Sequence, residues 1–324
     1  MRGARFLLPS APARLPMTPA LFTRTVRPFG ATFRVDSDDR RVLDALGVAL
    51  ARYPTDAGAA GDFRLVARTG ADTDVDPAWP TTKTTFADGR LTLHCGSGTL
   101  LADAHAGTAE LTLPPALLAI PDAVRMCVEG AASTLLINSG QLRAVHAGLV
   151  GFGSRHLLLR GPSGAGKSTL TYSCLRAGAR IVSDDWTYAV AGRPAGLLWG
   201  YPWRMFLVQE AIGRFPELAG ADAVLHPGAD RLKVPVEPPV ARRRKGAHVD
   251  AVVFLDPATE LDLRPVDAAE AQDRFWGPAL PTERTDLPAA FVAELLDRPC
   301  YVLQRGTDPM AAVTLLQRLA RSCR

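Results

Sequence analysis

The sequence of 324 residues predicts an α/β fold with a smaller α+β domain ahead of it. After residue 142, short apolar runs alternate with helical patterns, as they do in sheets whose strands are joined by helices. A glycine-rich loop lies between one such run and the helical pattern that follows it. Earlier in the chain the apolar runs are shorter and mixed. At about 150 residues per domain, the length therefore predicts two domains, 1–138 and 139–324.

In the first part, the acidic stretch 36–38 predicts the start of a helix over 41–51. Asp88-Gly89 between alternating apolar residues predicts a hairpin over 84–93. The other predicted elements here are a tail or edge strand over 1–20, strands over 23–35 and 63–66, a helix over 121–136, and loops over 54–62 and 69–80.

In the second part, the apolar spacing over 308–321 predicts a final helix. The glycine-rich turn 151–153 separates two predicted strands. The predicted strands of this part are 142–150, 156–159, 179–182, 186–190, 248–255 and 300–304, and its other predicted helix is 167–177.

Composition excludes several classes of protein. The chain has 37 basic and 33 acidic residues, a balance too mild for a nucleic-acid or anionic-membrane partner. Its five cysteines are widely spaced, with no Cys-x-x-Cys pair, which is typical of reduced thiols and not of disulfides or zinc sites. No apolar run approaches the roughly 18 residues that span a bilayer, and the arginine-led N-terminus is too short for a secretory signal. We therefore expect a cytoplasmic protein.

A phosphate-binding loop is the strongest motif. Residues 161–168 read Gly-Pro-Ser-Gly-Ala-Gly-Lys-Ser, a complete G-x-x-x-x-G-K-[ST] pattern. Such a loop wraps backbone N–H groups around phosphates, its lysine reaches the β- and γ-phosphates, and its serine hydroxyl binds Mg²⁺. We therefore expect ATP and Mg²⁺ as cofactors, with Lys167 catalytic and Ser168 on the metal. The expected nucleotide-binding residues are Gly161, Ser163, Gly164, Ala165, Gly166, Lys167, Ser168 and Thr169.

Two adjacent carboxylates, Asp184 and Asp185, follow the next apolar run. If that run is a strand parallel to the one before the loop, both segments end at the same edge of the sheet. One carboxylate could then lie near Mg²⁺, and the other could accept a proton from an acceptor hydroxyl. A turn or helix cap is the alternative for an Asp-Asp pair. His146, within an apolar run, is by default a core residue.

From residue 146 to 185 the chain resembles HPr kinase/phosphorylase and its relatives, including HPr kinase-related proteins of bacterial peptide-modification clusters. The shared features are His146-Ala147-Gly148, the glycine turn, the loop, and a strand ending in Asp184-Asp185. The resemblance implies a P-loop kinase-type sheet (HPr kinase/PEP carboxykinase-like), serine phosphorylation, and homo-oligomers. It also implies that His146 partners the base Asp185 and that Asp184 lies near the metal, although the two aspartates could exchange roles.

Three departures make HPr itself an unexpected acceptor. Thr169 stands where HPr kinases have Glu directly after the loop's Lys-Ser. Residues 199–204 lack the Glu of the family's Glu-Ile-Arg-Gly segment. After Pro235-Val236 the chain continues with Glu237, where the family has Gly-Arg-Asn. The basic tract 242–245 could grip a phosphate or an acidic acceptor, or be a solvated loop. Three aromatic residues could line an acceptor groove or belong to the core: Tyr201, Trp203 and Phe206.

These observations predict an ATP-dependent kinase that transfers the γ-phosphoryl group to a hydroxyl, with serine the first candidate. The acceptor would be a peptide, a protein or a small metabolite, and the first domain could bind it. A P-loop ATPase switch, or a nucleotide-binding partner protein of a peptide-modification pathway, is the alternative. Phosphorylated product would separate the kinase from both.

Overall fold

The computed structural model describes residues 22–71, 82–225 and 232–323. Within them the chain forms nine α-helices and three β-sheets, two of which mix parallel and antiparallel strands. The predicted α/β class is therefore confirmed. The expected tail over 1–20 and most of the expected loop over 69–80 lie outside the described residues.

The first sheet has seven strands, in the order β1-β2-β3-β7-β6-β5-β4. These are β1 (Phe22–Val26), β2 (Thr32–Ser37), β3 (Asp62–Thr69), β4 (Thr82–Ala87), β5 (Arg90–Cys95), β6 (Gly98–Asp103) and β7 (Thr108–Leu113). Three helices accompany it: α1 (Arg40–Ala51), α2 (Pro115–Leu118) and α3 (Pro121–Asn138). Sheet and helices share one apolar core. The predicted helices over 41–51 and 121–136 and the hairpin over 84–93 are confirmed, and Asp88 and Gly89 turn the hairpin with φ of 48° and 69°.

The rest of the chain builds the other two sheets. Its strands are β8 (Leu142–Phe152), β9 (Arg155–Arg160), β10 (Arg180–Ser183), β11 (Trp186–Val190), β12 (Leu197–Gly200), β13 (Met205–Val208), β14 (Val224–Leu225), β15 (Leu232–Val236), β16 (Gly246–His248), β17 (Ala251–Asp256), β18 (Leu261–Pro265) and β19 (Cys300–Arg305). Its helices are α4 (Lys167–Arg176), α5 (Gln209–Ile212), α6 (Ala268–Trp276), α7 (Pro281–Asp286), α8 (Ala289–Leu296) and α9 (Pro309–Ser322).

The second sheet is the framework of this part of the molecule. Its order is β16-β12-β11-β8-β9-β17-β19-β18, and β10 also pairs with β8. Strands β9, β17 and β19 are parallel neighbours. Helices α4 and α9 pack on one face, and α6 and α8 on the other, each over its own apolar cluster. The third sheet, β13-β15-β14, is antiparallel.

The strand directions bring three segments to one edge of the second sheet. Strands β9 and β10 are both antiparallel to β8, so they run in the same direction and end at the same edge. Ala147 of β8 pairs with Arg160 at the end of β9, and His146 pairs with Trp186. The loop after β9, the aspartates after β10 and His146 therefore converge. The loop and the aspartates therefore lie at the same edge of the sheet, as expected. The strand between β9 and β10 in the sheet, β8, is antiparallel to both, so the sheet is not purely parallel.

Two predicted strands are each two strands in the structure. The run 23–35 is broken between β1 and β2, because Phe29 and Gly30 adopt φ of 55° and 98° after Pro28 and reverse the chain. The run 248–255 is broken between β16 and β17 at Asp250. That carboxylate accepts hydrogen bonds from the His156 backbone N–H (2.8 Å) and the Arg155 guanidinium (2.8 Å), which fixes it between the strands.

Among the helices of the described residues, none has both the length and the apolarity needed to cross a membrane. All five cysteines are free, and only Cys323 is not fully buried. The partition into domains at residue 138 stays a prediction. The first sheet uses residues up to Leu113 and the second begins at Leu142.

Gly200 tests how closely β10 and β12 approach each other. A Cβ at this position would collide with the Val182 backbone oxygen. Because the obstructing atom belongs to the backbone, movement of a side chain cannot relieve the clash. We expect Gly200→Ala to lower the free energy of unfolding by about 1–3 kcal/mol, as overpacking does. Thermal and urea unfolding would measure it. Gly213→Ala is the matched control, because nothing lies within 4 Å of its Cβ position. Equal midpoints for the two variants would contradict this account.

Candidate functional site

The loop over 161–166 joins β9 to α4 as the motif predicts. Gly164 and Gly166 have φ of 83° and 88°, in the left-handed region where a side chain would be strained. The first turn of α4 has neither a side-chain cap nor an acidic residue. Its N–H groups and partial positive charge are therefore free of a competing anion from that turn, which is the arrangement that suits a phosphate.

A cavity of about 570 Å³ lies against this loop. It brings together eight of the predicted site residues: His146, Ser163, Gly164, Gly166, Lys167, Ser168, Thr169 and Asp185. Gly161 and Ala165 do not line it. Ala165 is buried in the core below the loop, and a Cβ on Gly161 would lie 3.1 Å from the Leu255 backbone oxygen. Asp184 lines an adjoining cavity of about 240 Å³, which shares Ser168 and Asp185 with the first.

Lys167 begins helix α4 and is buried, with 6% of its surface exposed. Its Nζ donates to the backbone oxygens of Gly161 (2.8 Å) and Pro162 (3.2 Å). Burial lowers the pKa of this ammonium, and the nearby negative charge of Asp185 opposes that shift. The lysine is thus held within the loop by weak acceptors, which the anionic oxygens of a phosphate would outcompete.

Asp184 is the less ionised of the two aspartates. Burial and the adjacent charge of Asp185 raise the pKa of Asp184 to about 7, against hydrogen bonds from the Ser168 hydroxyl and the Phe206 backbone. A bound cation would favour ionisation of both carboxylates. No group of three or more His, Cys, Asp or Glu that could hold a metal occurs in the described ranges. The paired oxygens of Ser168 and Asp184 fit Mg²⁺, which takes few protein ligands and fills its shell with phosphate and water.

Asp185 has a different environment from its neighbour. Its Oδ1 lies 2.9 Å from His146 Nε2, and 51% of its side chain is exposed. Partial burial raises the pKa of Asp185. The hydrogen bond from His146 and the positive charges of Lys167 and Lys233 outweigh that effect and lower the pKa overall. An ionised carboxylate therefore faces the same cavity as Lys167. A carboxylate in that state can accept a proton.

A buried ion pair that sequence reasoning missed lies beneath His146. Arg160 and Glu283 are each 1% exposed, and the guanidinium Nη1 lies 2.8 Å from Glu283 Oε1. The same Oε1 accepts from the His146 backbone N–H at 2.9 Å. Arg160 also donates to the backbone oxygens of His146 (3.2 Å) and Phe275 (2.8 Å from Nη2). No local signal marks Glu283, because it comes from α7, 137 residues beyond His146.

The cavity also holds cations that the motif does not include. Lys233, on β15, lines both cavities. Because the chain has only four lysines, the presence of a lysine at this position was a sequence signal for a site residue. The Arg305 guanidinium lies so near Gly166 that a Cβ there would be 3.0 Å away. Burial, and then the charge of Arg214, lower the pKa of Arg305, whose Nε is buried without a hydrogen-bond partner. In a chain with 33 arginines, no local pattern distinguishes Arg305 from the others.

The basic tract 242–245 is largely occupied by the protein itself. Arg242 donates to the Gly178 oxygen, and Arg243 donates to the Pro238 oxygen (2.7 Å) with its guanidinium 4.4 Å from the Trp203 ring centroid. These contacts favour a structural role over a phosphate grip. Trp203 donates to a backbone oxygen, whereas Tyr201 and Phe206 line the smaller cavity.

Comparison with known proteins adds only weak structural likeness. No family model and no curated protein matches the chain. Among solved structures, an Hpr(Ser) kinase/phosphatase from Coxiella burnetii is similar at 12% identity and a TM-score of 0.30, over 55% of this chain and 95% of that one. A TM-score this low leaves the resemblance noted in residues 146–185 a prediction.

The Arg160–Glu283 pair makes a strong stability prediction. Glu283→Gln keeps the shape but leaves the buried guanidinium without its counter-ion, so we expect a loss of about 3–5 kcal/mol in the free energy of unfolding. Urea unfolding would measure it. Glu270→Gln is the control, since its partners Arg264 and Arg274 lie nearer the surface, and its midpoint should move much less. Similar shifts for both variants would contradict a dominant buried pair.

Proposed function

We propose that this protein is an ATP-dependent kinase that transfers the γ-phosphoryl group to a hydroxyl, serine-like in its chemistry, through a P-loop kinase-type sheet of the HPr kinase-like class. One observation carries the proposal. The ionised Asp185, hydrogen-bonded to His146, faces the cavity that also contains Lys167 and Ser168. A phosphate loop alone suits any ATPase, but this added carboxylate suits an acceptor hydroxyl.

The phosphates of ATP would bind at the start of α4. The backbone N–H groups of the loop, the helix N-terminus and Lys167 would hold the β- and γ-phosphates. Arg305 and Lys233 bring further positive charge to the same cavity. Ser168 and Asp184 would hold Mg²⁺, which supplies charge neutralisation to the phosphates when bound.

The transfer step then uses Asp185 as the base. A hydroxyl oxygen of the acceptor forms a bond to the γ-phosphorus, and its proton passes to the Asp185 carboxylate. The bond from that phosphorus to the β–γ bridging oxygen breaks, and ADP leaves with the electron pair. His146 donates to Asp185 and fixes its orientation. Most of the acceleration comes from positioning and from the cations around the phosphates.

The domain arrangement is part of the same proposal. The residues up to 138 would form the domain that helps to bind the acceptor, and residues 139–324 would carry the reaction. Homo-oligomers are proposed only from the resemblance. A P-loop ATPase switch and a nucleotide-binding partner protein remain the outcomes that the experiment must distinguish.

The deciding experiment is incubation of the protein with Mg²⁺ and γ-labelled ATP in a size-fractionated lysate of its source cells. We expect label on a discrete acceptor with the intact protein and none with Lys167→Ala. Asp185→Asn should slow transfer by about 10²–10⁴-fold, as loss of a general base does. Asp262→Asn, exposed on β18, is the matched control and should not change the rate. Label released only as inorganic phosphate would favour the ATPase switch. Tight ATP binding with neither labelled acceptor nor released phosphate would favour the nucleotide-binding partner protein.

His146 is tested through its coupling to Asp185. Because the histidine acts through the carboxylate, we expect His146→Gln to lower kcat with little change in the KM for ATP. In the double variant with Asp185→Asn, the two losses should not add. Steady-state rates of the four proteins would give the coupling. Additive losses would mean that His146 acts independently of Asp185.

A further inference from the structure

A second, largely apolar cavity of about 410 Å³ lies beside the site. One wall is the hairpin of β4 and β5, where Thr84 pairs with Leu93 and Phe86 with Leu91, so all four side chains share one face. The other walls are α3, the paired strands β8 and β11, and α7. We call it the hairpin cavity. None of the loop residues 161–169 lines it.

The hairpin cavity adjoins the cavity that contains the two aspartates. Trp186, Tyr188 and Glu129 line both it and the 240 Å³ cavity that contains Asp184 and Asp185. Trp186 directly follows Asp185, and its ring centroid is 5.2 Å from that of His146. A ligand that fills the hairpin cavity would therefore contact Trp186, the residue that follows the proposed base.

The lining also selects by charge. Neither Lys nor Arg occurs among the described residues that line the hairpin cavity, whereas three carboxylates do. Glu129 is paired with Arg125 at 2.5 Å and Glu283 with Arg160 at 2.8 Å, while Asp286 is exposed. An anionic group placed here would lose hydration without gaining a counter-ion. A cationic group could gain Asp286 as a counter-ion, and a neutral group needs none.

We propose that the hairpin cavity binds the apolar body of the phosphoryl acceptor, and that this acceptor is a small, neutral or cationic organic alcohol. The assignment rests on the proposed kinase function and names its substrate class. The volume lies within the range of small-molecule sites, which are apolar with a few polar groups and often lie between structural units.

The walls favour a small molecule over a peptide strand. An extended peptide binds through backbone hydrogen bonds to an unpaired sheet edge. Strands β8 and β11 are each paired on both sides, so they offer no such edge. Of the described strands that line the cavity, only β4 lies at the edge of a sheet, and it carries Lys83, the kind of residue that opposes strand addition.

Three probes of similar shape test the proposal: 3-phenylpropan-1-ol (neutral), phenylalaninol (cationic) and 3-phenyllactate (anionic). Binding is measured without ATP, by titration calorimetry and by saturation-transfer NMR. We expect the first two to bind the full-length protein and the anionic probe to bind at least 10-fold more weakly. Ala144→Phe, which extends a side chain from the β8 wall into the cavity, should weaken their binding at least 10-fold.

Two controls separate a filled cavity from a damaged fold. Ala293→Phe makes the same change at an exposed position of α8 outside the cavity, and it should bind the probes normally. Unchanged ATP affinity would show that Ala144→Phe is folded. Phe86→Ala, which shortens an exposed wall residue, should weaken probe binding without loss of stability.

The outcomes distinguish this proposal from the kinase proposal. Probe binding that is indifferent to charge or to Ala144→Phe would overturn the assignment of the cavity, even if the lysate contains a phosphorylated acceptor. A peptide or protein as the labelled acceptor would overturn the small-molecule class and leave the kinase intact. Probe binding that follows the expected pattern, with no phosphorylated acceptor, would support the cavity as a ligand site and count against the kinase.

Discussion

The site depends on two opposite charges buried together beneath it. Arg160 ends β9 and Glu283 lies in α7, and almost no water reaches either side chain. Burying an ion pair is costly unless other hydrogen bonds satisfy both partners. Here they do. Glu283 accepts the backbone N–H groups of His146 and Leu280, and Arg160 donates to the backbone oxygens of His146 and Phe275. One network therefore joins the middle of β8, the end of β9, the end of α6 and the start of α7.

This network explains how a histidine on a strand becomes a fixed partner for a carboxylate. Both backbone polar groups of His146 point to the buried pair, and its ring reaches Asp185 on the other side. The backbone therefore cannot shift without breaking the network. Asp184, one residue earlier, has no such histidine, and burial beside a like charge raises its pKa instead. Two adjacent aspartates thus acquire different protonation behaviour from their surroundings alone.

Features that depend on nearby residues were predictable from the sequence, and features that depend on distant contacts were not. The loop, the Asp88-Gly89 turn and the first helix each have their cause within a few residues, although the N-cap of that helix is Asp39 and not a residue of the predicted stretch 36–38. At the break between β1 and β2, Gly30 also packs against the distant Gly58, where a Cβ would not fit, and β6, β7 and α6 to α8 lacked a clear local pattern. Within the site, the loop, the aspartates and His146 were identified, but Glu283 lies 137 residues beyond His146 and Arg305 lies at the end of β19.

The cavity at the loop and the hairpin cavity have complementary chemistry, and consecutive residues of one chain segment line them. The cavity at the loop contains Lys167, Lys233, Arg214 and Arg305, which suits a highly charged phosphate donor. The hairpin cavity is apolar and has no lining cation among the described residues. Asp185 faces the first and Trp186 lines the second, one residue apart. Because adjacent residues are held by the same backbone, an acceptor held against Trp186 would place its hydroxyl near the base without a separate positioning element. The charged phosphoryl donor and the apolar acceptor would then meet where Trp186 follows Asp185 in the chain.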